Sequence, residues 1–443
     1  MREFWPSTTR QLATFNTARR QAVKRVGAWL ALPFLPACGG GGGGGGGSAG
    51  NPGSTSQVPW ADDFQTFATN VRATHPDPAG ITRGAAWQSL LTQLTASAGQ
   101  KSDKANLVDA MKLAALMKDE HTRVNSNVAF AQTAIRFATA ADGVWVQQIA
   151  SPNSALLGAR LLAIDGIAMA DASERIKAVI SAATAAAYAN QTPPLLHQTE
   201  LLWLAGIGAA STQSTFTLRD VAGIERSLVL AAGDPSPLDN IYGRPGGPVA
   251  PLWLSQLDRN YFFTTLAGSA CVYVRYARCA ADALTSPAAF FSGISQALAA
   301  LPTPRLIFDL RNNPGGDSSI LTDAIRQGIG GGAPAADMRI AVLVNGGTYS
   351  SATINLYDLL RVGAKSFGEP PGTAPNHTGE AKNFVLPRTG TGYTSSSRVF
   401  TLDAALGANN YAPDVLVAPT IEDRANGRDP VLARAEQFVR TGN

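Results

Sequence analysis

Two segments of the 443-residue chain put reactive groups just past apolar runs. In Val342-Leu343-Val344-Asn345-Gly346-Gly347-Thr348-Tyr349-Ser350-Ser351-Ala352, an apolar strand ends in a turn and the serines open a helix. A hydroxyl at that point sits in positive potential, beside free N–H groups able to hold a developing oxyanion. In Leu306-Ile307-Phe308-Asp309-Leu310-Arg311-Asn312-Asn313-Pro314-Gly315-Gly316-Asp317, a second apolar strand runs through Asn-Pro-Gly-Gly into a helix. Paired glycines let backbone N–H groups face a cavity without side chains in the way, as an oxyanion hole requires. Taken alone, Ser350 or Ser351 has an ordinary role as a helix N-cap.

A serine nucleophile needs a base, and only four histidines exist: His75, His121, His197 and His377. An imidazole suits taking the serine proton and then giving it to a leaving amine. His121 and His377 are the candidates, with a purely structural role for both as the alternative. His75, before a proline, and His197, in an apolar helix, read as packing or hydrogen-bonding residues. Asp119 and Glu120 flank His121, and Glu369 follows the serine strand; the pattern singles out none of them as the orienting acid. Asp309 and Arg311 read as a structural ion pair. The chain has no HExxH, CxxC or Gly-x-x-x-x-Gly-Lys-Ser/Thr, so no metal or nucleotide cofactor is expected, and no GxSxG outside the glycine run at Gly46–Gly50, which argues against an α/β-hydrolase esterase.

These groups must be positioned by three kinds of texture. Residues 60–128 carry helical stripes: Phe64, Phe67 and Val71; Trp87, Leu90, Leu91 and Leu94; and Leu107 to Met117. Residues 129–235 turn strand-like around Val144–Ile149, with a short helix before a strand that ends at Asp165-Gly166. A long helical stretch follows from Asp171 to about Ala205, then strands near Thr215–Arg219 and Ser227–Ala231. Residues 233–258, rich in Pro and Gly, read as a connection. From Asn260 strands and helices alternate, which predicts parallel βαβ units and an α/β fold.

DLRNNPGG followed by VNGGTYSSA resembles peptidase family S41, the C-terminal processing and tricorn-like serine proteases. The resemblance extends to His75-Pro76, to Asp119-Glu120-His121-Thr122, and to Ala412-Pro413-Asp414-Val415 with Asn426-Gly427-Arg428-Asp429-Pro430. It implies a ClpP/crotonase-like protease core at 236–443, a PDZ-like domain at 129–235 and a helical N-terminal domain at 60–128. Ser350 takes the nucleophile position, and the N–H of Ser351 with that of Gly315 or Gly316 would form the oxyanion hole. The processing proteases use a lysine about 25 residues after the serine; here Ala374 and Pro375 stand there and the next lysine is Lys382. A Ser-Lys dyad is therefore not expected. Asp119-Glu120-His121-Thr122 resembles the element that carries the histidine base of the tricorn-like branch, and His377 lies near the lost lysine position.

Residues 1–38 have a signal-peptide layout: Arg19, Arg20 and Lys24 precede an apolar run from Val26 to Ala37, too short to span a bilayer. Leu35-Pro36-Ala37-Cys38 resembles a lipobox, implying a lipid on Cys38. Nine glycines from Gly39 to Gly47 open a tether at 39–59, with a reach of about 25 Å. Gly39 after the lipidated position favours the outer membrane. The expectation is a periplasmic, lipid-anchored serine endopeptidase acting on a protein or peptide, or else a lipoprotein on the same scaffold that binds peptides or apolar ligands without cleaving. The net charge of +4 lies largely in the first 24 residues, so a nucleic-acid partner is not indicated. Cys271 and Cys279, separated by a strand, are expected as buried thiols or, if the chain turns back, as a disulfide.

Overall fold

In Cys271–Tyr276, Arg305–Asp309 and Arg339–Val344 almost every residue is buried, the pattern of strands covered on both faces. The computed structural model, which describes residues 60–125, 129–329 and 338–443, builds them into a six-stranded sheet. Its order is Val415–Leu416, Lys365–Gly368, Arg339–Val344, Arg305–Asp309, Cys271–Tyr276, Tyr261–Leu266, parallel throughout except for the last pair. The signal segment, Cys38 and the glycine tether lie outside the described residues.

Successive side chains of a strand point to opposite faces, and each face has its own cover. Val272, Val274, Leu306, Phe308, Val342 and Val344 pack against Pro287–Ala299, Ser319–Arg326 and Ser351–Arg361. Tyr273, Ile307, Ala341, Leu343 and Phe367 pack against Val431, Ala435 and Val439 of Pro430–Thr441. Each buried Val, Leu, Ile or Phe among them contributes roughly 1.5–3 kcal/mol by leaving water. The α/β expectation is met, and the strand ends that carry the two turns are held from both sides.

The helical block forms as Trp60–Thr74, Ala85–Ser97 and Asp103–Ala115, the last capped by Ser102, whose Oγ accepts from Ala105 N at 3.2 Å. It does not stay helical to its end. Arg123–Asn125 is a strand, paired antiparallel with Gly392–Ser395. That partner is remote in sequence, so local periodicity could not announce it.

Residues 135–240 form an antiparallel sheet around Gly143–Ala150. The long helix expected over 171–205 is broken into Met169–Ile176, Ala185–Gln191 and Thr199–Leu204. Thr184 restarts the second piece, its Oγ1 accepting from Ala187 N, and Pro193-Pro194 prevents its continuation. The expected connection contributes a strand of its own, Leu238–Asn240. Cys271 and Cys279 are buried free thiols, not a disulfide. Among the described residues no helix is long and apolar enough to cross a membrane.

Between the sheet strands Lys365–Gly368 and Val415–Leu416, residues 376–401 leave the core as two ribbons. Tyr393 Oη accepts from Asn70 Nδ2 at 2.7 Å, and Arg388 N donates to Asp63 Oδ1 at 2.9 Å. This excursion ties the helical block to the sheet core.

Candidate active site

The serine turn and the glycine turn are stitched together at adjacent strand ends. Asn345 Oδ1 accepts from Asn312 N and Gly347 N, and its Nδ2 donates to Asn312 Oδ1. Thr348 Oγ1 donates to Leu310 O at 3.0 Å, and Tyr349 N to Asn313 O at 2.9 Å. The chain then passes through Ser350 at φ 51°, ψ −124°, a conformation that normally belongs to glycine in a tight turn. The Ser350 side chain makes no cap hydrogen bond to the helix behind it. Its N–H is spent on Thr373 Oγ1 at 3.0 Å. Ser351 Oγ, by contrast, donates to Gly316 O at 2.6 Å.

Gly315 lies directly against this turn. A Cβ there would come within 2.8 Å of Ser350 Cβ and 2.9 Å of Ser351 N, so no larger residue fits. At Gly316 a Cβ would meet Cys279 O at 2.1 Å. The Gly315 N–H donates to the buried Asn313 Oδ1 at 2.9 Å. Of the paired glycines, Gly316 is thus the one whose N–H is not committed to Asn313.

Asp119 organises the histidines. It is 3% exposed, and its Oδ2 receives Thr122 Oγ1 at 2.6 Å, Ser396 Oγ at 2.7 Å and His75 Nε2 at 3.1 Å. Oδ1 accepts His121 N at 3.0 Å and faces His121 Nδ1 at 3.6 Å. Burial would raise this carboxyl, but hydrogen bonds from His121 and His75 outweigh it and hold it well below the usual carboxylate range. Asp119 is therefore a fixed negative charge behind the His121 ring.

The rings of His121 and His377 stack at 5.9 Å, and His377 stacks in turn on Phe400 at 5.1 Å. Burial, with the field of His121 second, pushes His377 down to about 4. Neither His377 Nδ1 nor His121 Nδ1 has a hydrogen-bond partner, but His121 Nδ1 faces the Asp119 carboxylate at 3.6 Å. His377 is borne on Asn376–Gly379, which opens three residues after the Thr373 that holds Ser350. The structure thus draws His121, His377 and Asp119 together from the helical block and the excursion. His197 is buried elsewhere, pushed down to about 3 by desolvation and then by Arg136.

The other acids have different employment. Glu120 is buried with Oε1 accepting Ala183 N at 2.8 Å, and desolvation pushes it up to about 7. Glu369 faces Arg424 at 4.0 Å. The Asp309–Arg311 pair is structural as read, with Arg311 also donating to both oxygens of Asp429 at 2.8 Å. Lys382 opens an exposed strand, and Ala374, at the usual lysine position, is buried. Asp119, Glu120 and His121 bring ligand atoms within 4.8 Å of one another. Their oxygens are largely taken by the hydrogen bonds above, which makes this donor set a poor fit for a cation.

Ser396 was missed from the residue pattern, and His75, read as a packing or hydrogen-bonding residue, does hydrogen-bond; they reach Asp119 across 277 and 44 positions. The one available signal was the Asp-x-His spacing of Asp119 and His121, which lets a main-chain N–H tie the acid to its histidine.

An α/β sheet thus presents an uncapped serine at a strained strand-to-helix turn, and a second cluster gathers Asp119, His121 and His377. No protein-family profile and no curated relative matches the chain. In fold it is similar to mature CPAF, with a TM-score of 0.61 at 14% identity, covering 86% of this chain and 97% of that one. CPAF complexed with lactacystin gives 0.59 at 16% identity over 86% and 98%. The photosystem II D1 C-terminal processing protease gives 0.42 at 16% over 88% and 98%. The fold shared with CPAF extends over most of this chain, and a putative S41 protease is also among its structural neighbours.

Proposed function

We propose that this protein is a serine endopeptidase of the S41 type, with Ser350 as nucleophile and His121 as general base. Asp119 orients the imidazole and stabilises the imidazolium that forms when the serine proton is taken. The N–H groups of Ser351 and Gly316 receive the oxyanion, Gly315 contributing the close approach that lets them converge. His377, kept neutral by burial, packs the base in place. A peptide carbonyl is attacked by Ser350 Oγ; the proton passes through His121 to the leaving amine, and water then releases the acyl group by the reverse path. The observation that carries this reading is Ser350 itself: a glycine-like backbone and a hydroxyl not spent on capping.

The middle segment, 129–235, is a PDZ-like domain in this reading, offering a sheet edge to a peptide strand. Export and lipidation at Cys38 would hold the enzyme on the periplasmic side of a membrane, the outer one favoured by Gly39. Loss of labelled palmitate incorporation in Cys38→Ser tests the anchor.

A fluorophosphonate probe should label the protein at Ser350, and Ser350→Ala should abolish labelling while leaving the circular dichroism unchanged. Lactacystin, found in complex with CPAF of the same fold, is a second probe to compete against it. A folded protein that resists both and instead holds peptides or apolar ligands tightly would be the non-cleaving lipoprotein.

A further inference from the structure

We infer that His75 is a positioning residue for the proposed Asp119–His121 pair, acting from the far side of the carboxylate. The inference rests on the function proposed above. His75 ends the helix Trp60–Thr74 and is 7% exposed. Its Nδ1 accepts the Asp77 N–H at 2.8 Å, so that nitrogen carries no proton and the proton of the ring is on Nε2. Nε2 then has to donate, and Asp119 Oδ2 stands 3.1 Å away.

The turn that sets this tautomer is itself fixed. Asp77 accepts from Ile81 N at 2.7 Å, Thr82 N at 3.0 Å and Thr82 Oγ1 at 2.7 Å. With Thr122 and Ser396 also donating, Oδ2 is filled by three side chains from three separate stretches of chain. Only Oδ1 is left to face His121. Rotation of the carboxyl about its Cβ–Cγ bond would break all three bonds at once, so the acid stays aimed at the base. An imidazole donates this bond without bringing a compensating positive charge, which leaves the full field of Asp119 on His121. Packing alone would be served better by an apolar ring, since burying an imidazole without its bonds is costly.

The test is the second-order rate of fluorophosphonate labelling at Ser350 in the full chain, measured against pH, for wild type, His75→Phe and His75→Gln. Gln keeps a donor that reaches Oδ2; Phe keeps the ring volume and loses the donor. We expect His75→Phe to lower the rate roughly tenfold to a hundredfold, as loss of outer hydrogen-bond partners does at other sites. The acid limb of its pH–rate profile should move to lower pH, and His75→Gln should recover most of both. A folded His75→Phe with wild-type rate and profile would overturn the inference while leaving the peptidase reading intact. So would a folded His75→Gln that is as slow as a donor-less variant, which also decides the matter if His75→Phe does not fold. An unlabelled wild type would instead remove the function on which the inference stands.

Discussion

At Ser350 the backbone lies where an L-residue is strained, with φ 51° and ψ −124°, at a cost of order 1–3 kcal/mol. Ser350→Gly should therefore unfold at higher denaturant than Ser350→Ala, by about 1 kcal/mol after the entropy that glycine adds to the unfolded chain. Equal midpoints would mean that the turn stores nothing. The same scale decides which acid works. Asp119→Asn keeps the shape but can turn a donor toward His121, and should slow serine labelling roughly 10³- to 10⁴-fold. Glu369→Gln, which touches Arg424 instead, should label within a few-fold of wild type. If Glu369→Gln is the slow variant, the acid has been misassigned. The serine and glycine turns were legible in the sequence because each is a local strand-turn-helix unit, while the duty of Asp119 was not. Its donors His75 and Ser396 lie 44 and 277 positions away, and only the fold decides which acid they choose.

At the level of elements, Ala185–Gln191 of the middle segment lies against the serine turn. Tyr349 Oη donates to Ala187 O at 3.3 Å, Thr184 Oγ1 to Gly372 O at 2.7 Å, and Ala183 N to the buried Glu120 at 2.8 Å. The long helix read from the sequence between Asp171 and Ala205 missed this junction, because a threonine cap at Thr184 and a Pro-Pro pair cut a pattern that its alanines would otherwise continue. Glu120 gives the junction a pH dependence. Its folded value of about 7 stands above its ordinary 4.5, so between those values the folded chain holds a proton that the unfolded chain releases. Stability from this group is complete below about pH 4.5 and declines as pH rises through 7, by roughly 3 kcal/mol. Glu120→Gln can still accept from Ala183 N and loses the titration. Its gain over wild type in urea unfolding should grow from pH 5 to pH 8; a constant difference would show that Glu120 ionises freely in the folded chain.

For the molecule as a whole, the site belongs to no single part of the chain. Asp119 comes from the end of the helical block, Ser181 of the middle segment accepts the Asp119 N–H and donates to its carbonyl, and Ser396 of the excursion donates to its carboxylate. One apolar cluster runs from Phe64 and Phe67 through Trp145 and Phe216 to Tyr349 and Tyr393, so the helical block and the middle sheet do not close separate cores. The α/β core was legible because its strands are apolar runs buried on both faces, whereas the closure between parts depends on pairings such as Arg123–Asn125 with Gly392–Ser395, which no window of sequence contains. This shared core predicts that the reactive state of Ser350 cannot outlive any part of the fold. In urea, fluorophosphonate labelling and far-UV circular dichroism should fall at one midpoint in a single transition. Tyr393→Phe, which removes the bond from Asn70, should shift both curves together by about 1 kcal/mol. Labelling that disappears well before the helical signal would instead describe a site assembled from independently folding parts, with the excursion at 376–401 as the piece that lets go.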